Sequence, residues 1–277
     1  MNSRLRQRLR RIARDGARSR EPGAARTAGS PGGAAEATLR EPRREGRLLV
    51  WRERLDGGEA GEPDPVSPDL PLTVSRCDSR FAEISDSRLA AVYGRAGIDA
   101  DRLAFVDIET CGLADVPVFL VGVLRRDGPT WELTQYLAVD PSGEPELLRR
   151  TAAVLARHDD WVSFNGRSFD VPRILRRSRL HGVDWPVARS HRDLLHDVRR
   201  RWKNELPNCR LGTVERCLLG LERPPTEVPG REVPERYYDF VQRGERRWID
   251  PVVEHNRRDV VALAILLARI VGARDGS

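Results

Sequence analysis

Between Leu103 and Val139 three strand-like runs follow one another with barely a break: LAFVDIE, VPVFLVGVL and TWELTQYLAV. β-Branched and aromatic residues are frequent in them, and Gly128-Pro129 marks a turn between the last two. The pattern then changes. A helical period covers EPELLRRTAAVLARHDD, with Pro145 in the first turn, where its missing N–H is harmless. A strand, DWVSFN, and a helix, SFDVPRILRRSRL, come next. Later segments read as helices: DLLHDVRRRWK, GTVERCLLG, PERYYDFVQRG and a long final one from about Trp248 to Val271. Three strands, helix, strand, helix is the order of an α/β fold, a mixed sheet with helices on its faces.

The 277 residues leave room for one full core and a small second unit. Residues 1–45 combine Arg, Gly, Ala, Pro and Ser without apolar periodicity and are expected to form a disordered tail. Residues 46–100 are expected to be a lead-in segment. They comprise GRLLVWRERL as a strand or short helix, the acidic linker DGGEAGEPDPVSPD, and a helix in SDSRLAAVYGRAGI ending near Gly94 or Gly97. The sharply patterned domain spans 101–272. No run of eighteen apolar residues exists, so no membrane span is expected. Cys77, Cys111, Cys209 and Cys217 are scattered without a CxxC pair. That argues against a zinc ribbon or a disulfide framework and suits a reducing cytoplasm. The Arg-rich start lacks the apolar stretch of a secretory signal; it has some likeness to a transit peptide, although a basic tail is the commoner origin of such a run.

The net charge of +6 is unevenly placed. Residues 1–45 hold twelve Arg against five acids, whereas 46–277 are almost balanced, with 36 basic and 37 acidic residues. Only Lys203 among the basic residues is a lysine, a bias that points to genome composition rather than to nucleic-acid binding.

Within FVDIETCGL, Asp107 and Glu109 are two apart on a strand and therefore share a face. Two like charges beside an apolar core need a cation or hydrogen bonds to offset them; solvent-facing acids on an edge strand would show the same pattern. Asp170 lies where strand DWVSFN, after an Asn-Gly turn, gives way to a helix, at the kind of strand end where α/β proteins gather active groups. An N-cap role for Ser168 or Asp170 fits equally. His255 and Asp259 are four apart and share one face of the last helix, next to its apolar stretch; an exposed pair at a helix start is the alternative. Together these are four carboxylates from three elements. Oxygen ligands of this kind suit Mg²⁺ or Mn²⁺, and two such ions support in-line phosphoryl displacement.

DIETCGL, FNGRSFDVP and HNRRD, in this order, resemble the three motifs of the DEDD exonuclease superfamily, which has the ribonuclease H-like fold. The likeness is closer still to its YprB-like branch, with VFLVGV, QYLAVDPSGEPELL, DLLHDVRRRWKNELPNCRLGTVERCLLGLERP and EVPERYY in support, and covers about residues 100–270. The resemblance implies a metal-dependent 3′→5′ exonuclease acting on single-stranded DNA or RNA with two Mg²⁺ or Mn²⁺ ions. Asp107, Glu109, Asp170 and Asp259 would be the metal-binding acids, and His255 would orient or activate the attacking water. His255 precedes Asp259 by four positions, the spacing usual for the Tyr subgroup, whereas the common His subgroup uses five.

Asp193 in HRDLLHDV suits a helix N-cap or a support behind the metal site. Asn165 and Arg167 in the turn suit contacts to a nucleotide or phosphate, or simply a fixed turn and a solvated side chain. The run RRRWK at 199–203 suits phosphate pairing and base stacking, or a basic helix surface with Trp202 turned inward. His158, His181, His191 and His196 have no ligand-like pattern. Two other readings of the chain are a structure-selective endonuclease on the same fold and a non-catalytic nucleic-acid-binding or scaffolding module.

Overall fold

A computed structural model describes residues 41–55, 86–112 and 116–272. Seven strands form one mixed sheet: β1 (Arg43–Glu45), β2 (Leu48–Leu55), β3 (Leu103–Thr110), β4 (Val118–Asp127), β5 (Thr130–Ala138), β6 (Asp160–Ser163) and β7 (Ser190–Asp193), in the order β1-β2-β5-β4-β3-β6-β7. The five strands from β1 to β3 in that order are antiparallel to their neighbours, and β6 and β7 continue parallel to β3. Around the sheet lie α1 (Asp86–Arg95), α2 (Glu144–Leu155), α3 (Asp170–Leu180), α4 (Leu194–Trp202), α5 (Leu211–Val214, running on as a π-helical turn to Leu219), α6 (Val233–Arg243) and α7 (Asp250–Gly272).

Strand alternation assigns the two faces. Ala104, Val106 and Ile108 of β3 pack with Leu147 and Leu148 of α2 and Ile174 of α3. Phe105, on the opposite face, packs with Val260, Leu263 and Leu267 of α7, and this face continues through Asp107 and Glu109. The helix α7 therefore lies across the face that carries the acid pair. It is fixed there by Tyr93 of α1, whose hydroxyl donates to the Ala264 carbonyl at 2.6 Å.

The sheet is wider than the sequence suggests. Arg43–Glu45, expected in the tail, pair with β2, and β2 pairs along its full length with β5. The lead-in segment is thus built into the domain: Leu48 and Val50 are buried on one face, while Arg257 of α7 grips Glu53 with two hydrogen bonds of 2.6 and 2.7 Å. Residues 1–40 and the linker 56–85 lie outside the described residues. In the 199–203 run, Trp202 packs against the α7 side of the core and Arg201 donates to the Ile270 carbonyl at 2.6 Å, so this run ties α4 to α7. Among the described residues no helix is long and apolar enough to cross a membrane.

Candidate functional site

Asp107, Gly122 and Gln135 stand opposite one another on β3, β4 and β5 and form a row across the sheet face under α7. Asn256, fully buried on α7, drops into the gap over Gly122. Its amide donates to Asp107 Oδ2 at 2.8 Å, and its carbonyl oxygen accepts from Gln135 Nε2 at 2.8 Å; the same Gln135 nitrogen also donates to the Val253 carbonyl at 2.9 Å. A Cβ at position 122 would come within 2.3 Å of Asn256 Oδ1, so glycine is needed here for space.

Glu109 is the next residue on this face, and the β3–β4 register shifts immediately after it. Such a bulge redirects the chain at the end of the strand. Because β6 runs parallel to β3, with Phe105 level with Val162, the end of β6 delivers the Asn-Gly turn beside Asp107 and Glu109. Asn165 takes a left-handed backbone, φ 63°. A Cβ on Gly166 would lie 2.2 Å from Ser163 Oγ and 3.1 Å from Asp170 Oδ2, so the turn closes tightly over the first residue of α3.

Asp193, at the end of β7, holds this turn from behind. Its carboxylate accepts from the Asn165 N–H at 2.7 Å, the Arg167 N–H at 3.1 Å and the Leu195 N–H at 3.1 Å. It is therefore both the N-cap of α4 and the clamp on the loop leading to Asp170. The Arg167 guanidinium is turned onto the His191 carbonyl, and His191 Nε2 is 2.7 Å from Ser163 Oγ.

From α7, His255 and Asp259 complete the cluster. His255 Nε2 lies 3.6 Å from Asp259 Oδ2 and 3.8 Å from Glu109 Oε1, and Nδ1 is 2.8 Å from Glu227 Oε1. Arg223 spans the outer side. It donates to Asp259 Oδ1 at 2.6 Å, to Glu215 at 2.5 and 2.8 Å, and to Glu227. Sequence reasoning missed Glu215, Arg223, Glu227, Asn256, Gln135 and Gly122. Only Gly122 carried a readable signal, an isolated glycine inside an apolar strand.

The side chains of Glu109, Asp259 and His255 retain only 14, 14 and 12% of their exposure, so the acids sit in a largely desolvated recess. Burial, and then the charges of Asp259, Glu109 and Asp170, hold the Asp107 carboxyl well above the usual carboxylate range. Burial followed by Asp259 and Asp170 does the same to Glu109. Asp170 is pushed up to about 7 by burial, against the opposing pull of Arg173 and with a further push from Asp193. Burial also works against a charged His255, but the Glu227 hydrogen bond and the Asp259 charge outweigh it and raise the imidazole pKa.

Among the described residues no three His, Cys, Asp or Glu side chains stand arranged to hold a metal ion as they are. Two oxygens of the acids are taken up within the protein, Asp107 Oδ2 by Asn256 and Asp259 Oδ1 by Arg223. The donor chemistry nevertheless fits a hard divalent cation. The four acids offer oxygen atoms alone, and three of them resist ionising in the absence of added positive charge.

The chain belongs to the RNase_H superfamily: the family model RNase_H_2 matches residues 104–271, which run from β3 to the end of α7. Within that class it is a YprB-like ribonuclease H-like domain, 32% identical over 189 residues to the uncharacterized protein YprB of Bacillus subtilis (strain 168). The match takes in 66% of this chain and 45% of YprB, so the chain spans less than half the length of that relative. Among solved structures, the family B DNA polymerase of the archaeon Pyrobaculum calidifontis is similar at a TM-score of 0.48 and 19% identity over 60% of this chain and 24% of the polymerase. The zinc-bound ExoI–ssDNA complex of E. coli is similar at a TM-score of 0.35 and 15% identity, over 58% of this chain and 45% of that one.

Proposed function

We propose that this chain is a metal-dependent nuclease of the DEDD type, a 3′→5′ exonuclease acting on single-stranded DNA or RNA. The observation that carries this reading is the convergence of Asp107, Glu109, Asp170 and Asp259 on one largely desolvated recess beside His255, where burial above all holds the first three above the usual carboxylate range. Membership of the RNase_H superfamily supports it. Asp107, Glu109, Asp170 and Asp259 would hold two divalent ions, Mg²⁺ or Mn²⁺. When bound, such ions neutralise the charge that develops on the oxygens of a phosphodiester during in-line displacement.

The chain's own residues supply the remaining roles. His255, on the same face as Asp259, accepts the proton of the attacking water at Nε2. Asn165 and Arg167, exposed on the turn, contact the strand near the scissile phosphate. Asp193 supports Asp170 through the backbone of that turn. Cys111, Cys209 and Cys217 are free thiols, which suits the reducing cytoplasm we propose as its location. A binding-only module has no use for buried acids that repel a phosphate chain, so the scaffold reading is the weaker one.

The test is digestion of 5′-labelled DNA and RNA oligonucleotides with Mg²⁺, Mn²⁺ or EDTA. The expected result is a metal-dependent ladder shortening from the 3′ end, abolished in Asp107→Ala and Asp170→Ala. Cutting of circular single strands would replace the exonuclease by an endonuclease. Tight strand binding without cleavage under either metal would leave the scaffold.

A further inference from the structure

We propose that Glu227 is the positioning residue for His255, fixing the imidazole so that Nε2 faces the acid cluster. The inference rests on the nuclease reading above. An ionised carboxylate only accepts hydrogen bonds, so the 2.8 Å contact between His255 Nδ1 and Glu227 Oε1 requires the proton to be on Nδ1. In the neutral ring the lone pair is then on Nε2. The contacts of that nitrogen with Asp259 and Glu109, 3.6 and 3.8 Å, are too long for hydrogen bonds, so the lone pair is not consumed inside the protein.

Glu227 is itself immobilised. Its N–H donates to the Pro224 carbonyl at 3.0 Å and closes a tight turn, and Arg223 at the head of that turn donates to the same Oε1 that meets His255. Arg223 is in turn seated on Glu215, a buried acid at the start of the π-helical turn, with bonds of 2.5 and 2.8 Å. Its remaining bond to Asp259 keeps the dyad in register with the α7 acid. Helix packing does not call for this arrangement. The helix α7 is anchored by Val252, Val253 and Val260, buried on its apolar side. The chain Glu215–Arg223–Glu227–His255 thus holds one ring in one orientation and one tautomer.

The experiment compares the parent with Glu227→Ala, Glu227→Gln and His255→Ala on one labelled oligonucleotide with Mn²⁺. In parallel, ¹⁵N imidazole spectra are recorded over a rising pH series until the ring signals stop changing and the neutral form is reached, and the His255 signal is identified by its loss in His255→Ala. Glu227→Ala is expected to lower kcat by about 10–10²-fold with the oligonucleotide KM unchanged, a loss of the size found when the hydrogen-bond partner that orients a metal-bound histidine is removed. Glu227→Gln, whose carbonyl oxygen still accepts from Nδ1, is expected to recover part of that loss. The parent spectrum should show the Nδ1–H tautomer and Glu227→Ala a mixture. If the parent cleaves nothing, the nuclease reading fails and the positioning role fails with it. If the parent cleaves, while both Glu227 variants turn over at its rate and keep the Nδ1–H tautomer, only the role of Glu227 is overturned.

Discussion

The Asn256 amide sits beside Asp107 because residue 122 has no side chain: Asn256 Oδ1 lies only 2.3 Å from where a Cβ would stand, while the nitrogen of the same amide donates to Asp107 Oδ2 at 2.8 Å. Gly122→Ala should therefore displace a fully buried amide and strip Asp107 of its donor. Overpacking of this kind costs about 1–3 kcal/mol, and Asn256→Ala should cost a similar amount by leaving a carboxylate oxygen unpaired, about 1–3 kcal/mol. The pair is expected to be non-additive. With Ala at 256 the clash with the amide is gone and the added methyl at 122 has only Val260 Cγ2, 2.8 Å away, left to displace, so the double variant should be less impaired than the two losses combined. Urea midpoints and turnover with Mn²⁺ measure both arms, and strict additivity would show that the two positions act separately.

Asp193 gives a second case. Three backbone N–H groups, from Asn165, Arg167 and Leu195, depend on one buried carboxylate. Asp193→Ala should destabilise the fold by about 3 kcal/mol or more, since each orphaned donor costs roughly 1–3 kcal/mol unless water reaches it. Asp193→Asn keeps one acceptor oxygen and should fall between. Because the turn leads directly to Asp170, Asp193→Asn is also expected to reduce the thermal shift produced by Mn²⁺. A loss of stability with an unchanged metal shift would limit Asp193 to its N-cap role.

These two relationships show what could be read from the chain and what could not. The strands β3, β4 and β5 were legible from their closely spaced apolar, β-branched and aromatic residues, and the shared face of Asp107 and Glu109 followed from the period of two. The helix α7 was legible from its length and its apolar run, although it begins at Asp250, just after a short 3₁₀ turn at Arg246–Trp248. β7 was not: Ser190, His191, Arg192 and Asp193 have no apolar member, and they form a strand only because β6 offers them a parallel edge from Asp160 to Ser163. Likewise Arg43–Glu45 become a strand only by pairing with β2. The Arg223 network left no trace, since it joins residues up to 36 positions apart from a segment with no period. Local pattern carries no information about such contacts.

The uneven charge leads to a third expectation. Residues 1–40 hold ten Arg and three acids, and the rest of the chain is nearly balanced. Deleting 1–40 should leave the thermal midpoint unchanged while lowering the salt dependence of single-strand binding. If all seven excess charges meet phosphates, the slope of log K against log salt changes by as much as about 5. Fluorescence anisotropy over a salt series measures it. An unchanged slope would place the phosphate contacts on the body of the protein.

The last expectation concerns pH and metal together. Asp170 is held up to about 7, and Asp107 and Glu109 are also held above the usual range, so near neutral pH the metal-free site retains protons. A cation needs the ionised acids, so binding must expel those protons, and affinity must fall as pH falls through about 7. For folding the sign is opposite to that of an ordinary ion-paired acid. These carboxyls have folded pKa values above their unfolded ones, so ionising them above pH 7 weakens the metal-free fold, and that penalty is relieved as pH falls from about 7 toward 4. His158 and His191, whose pKa values burial lowers, act in the other direction, but only below about 6.5, where the unfolded chain takes up their protons. The informative window is therefore about pH 6.5 to 8.5. There the metal-free melting temperature should drop as pH rises, while the increase produced by Mn²⁺ should grow. Calorimetry in two buffers of different ionisation enthalpy should register proton release on binding, and less of it in Asp170→Asn. A Mn²⁺ shift equal at both ends of the window would mean that these buried acids are not the ligands.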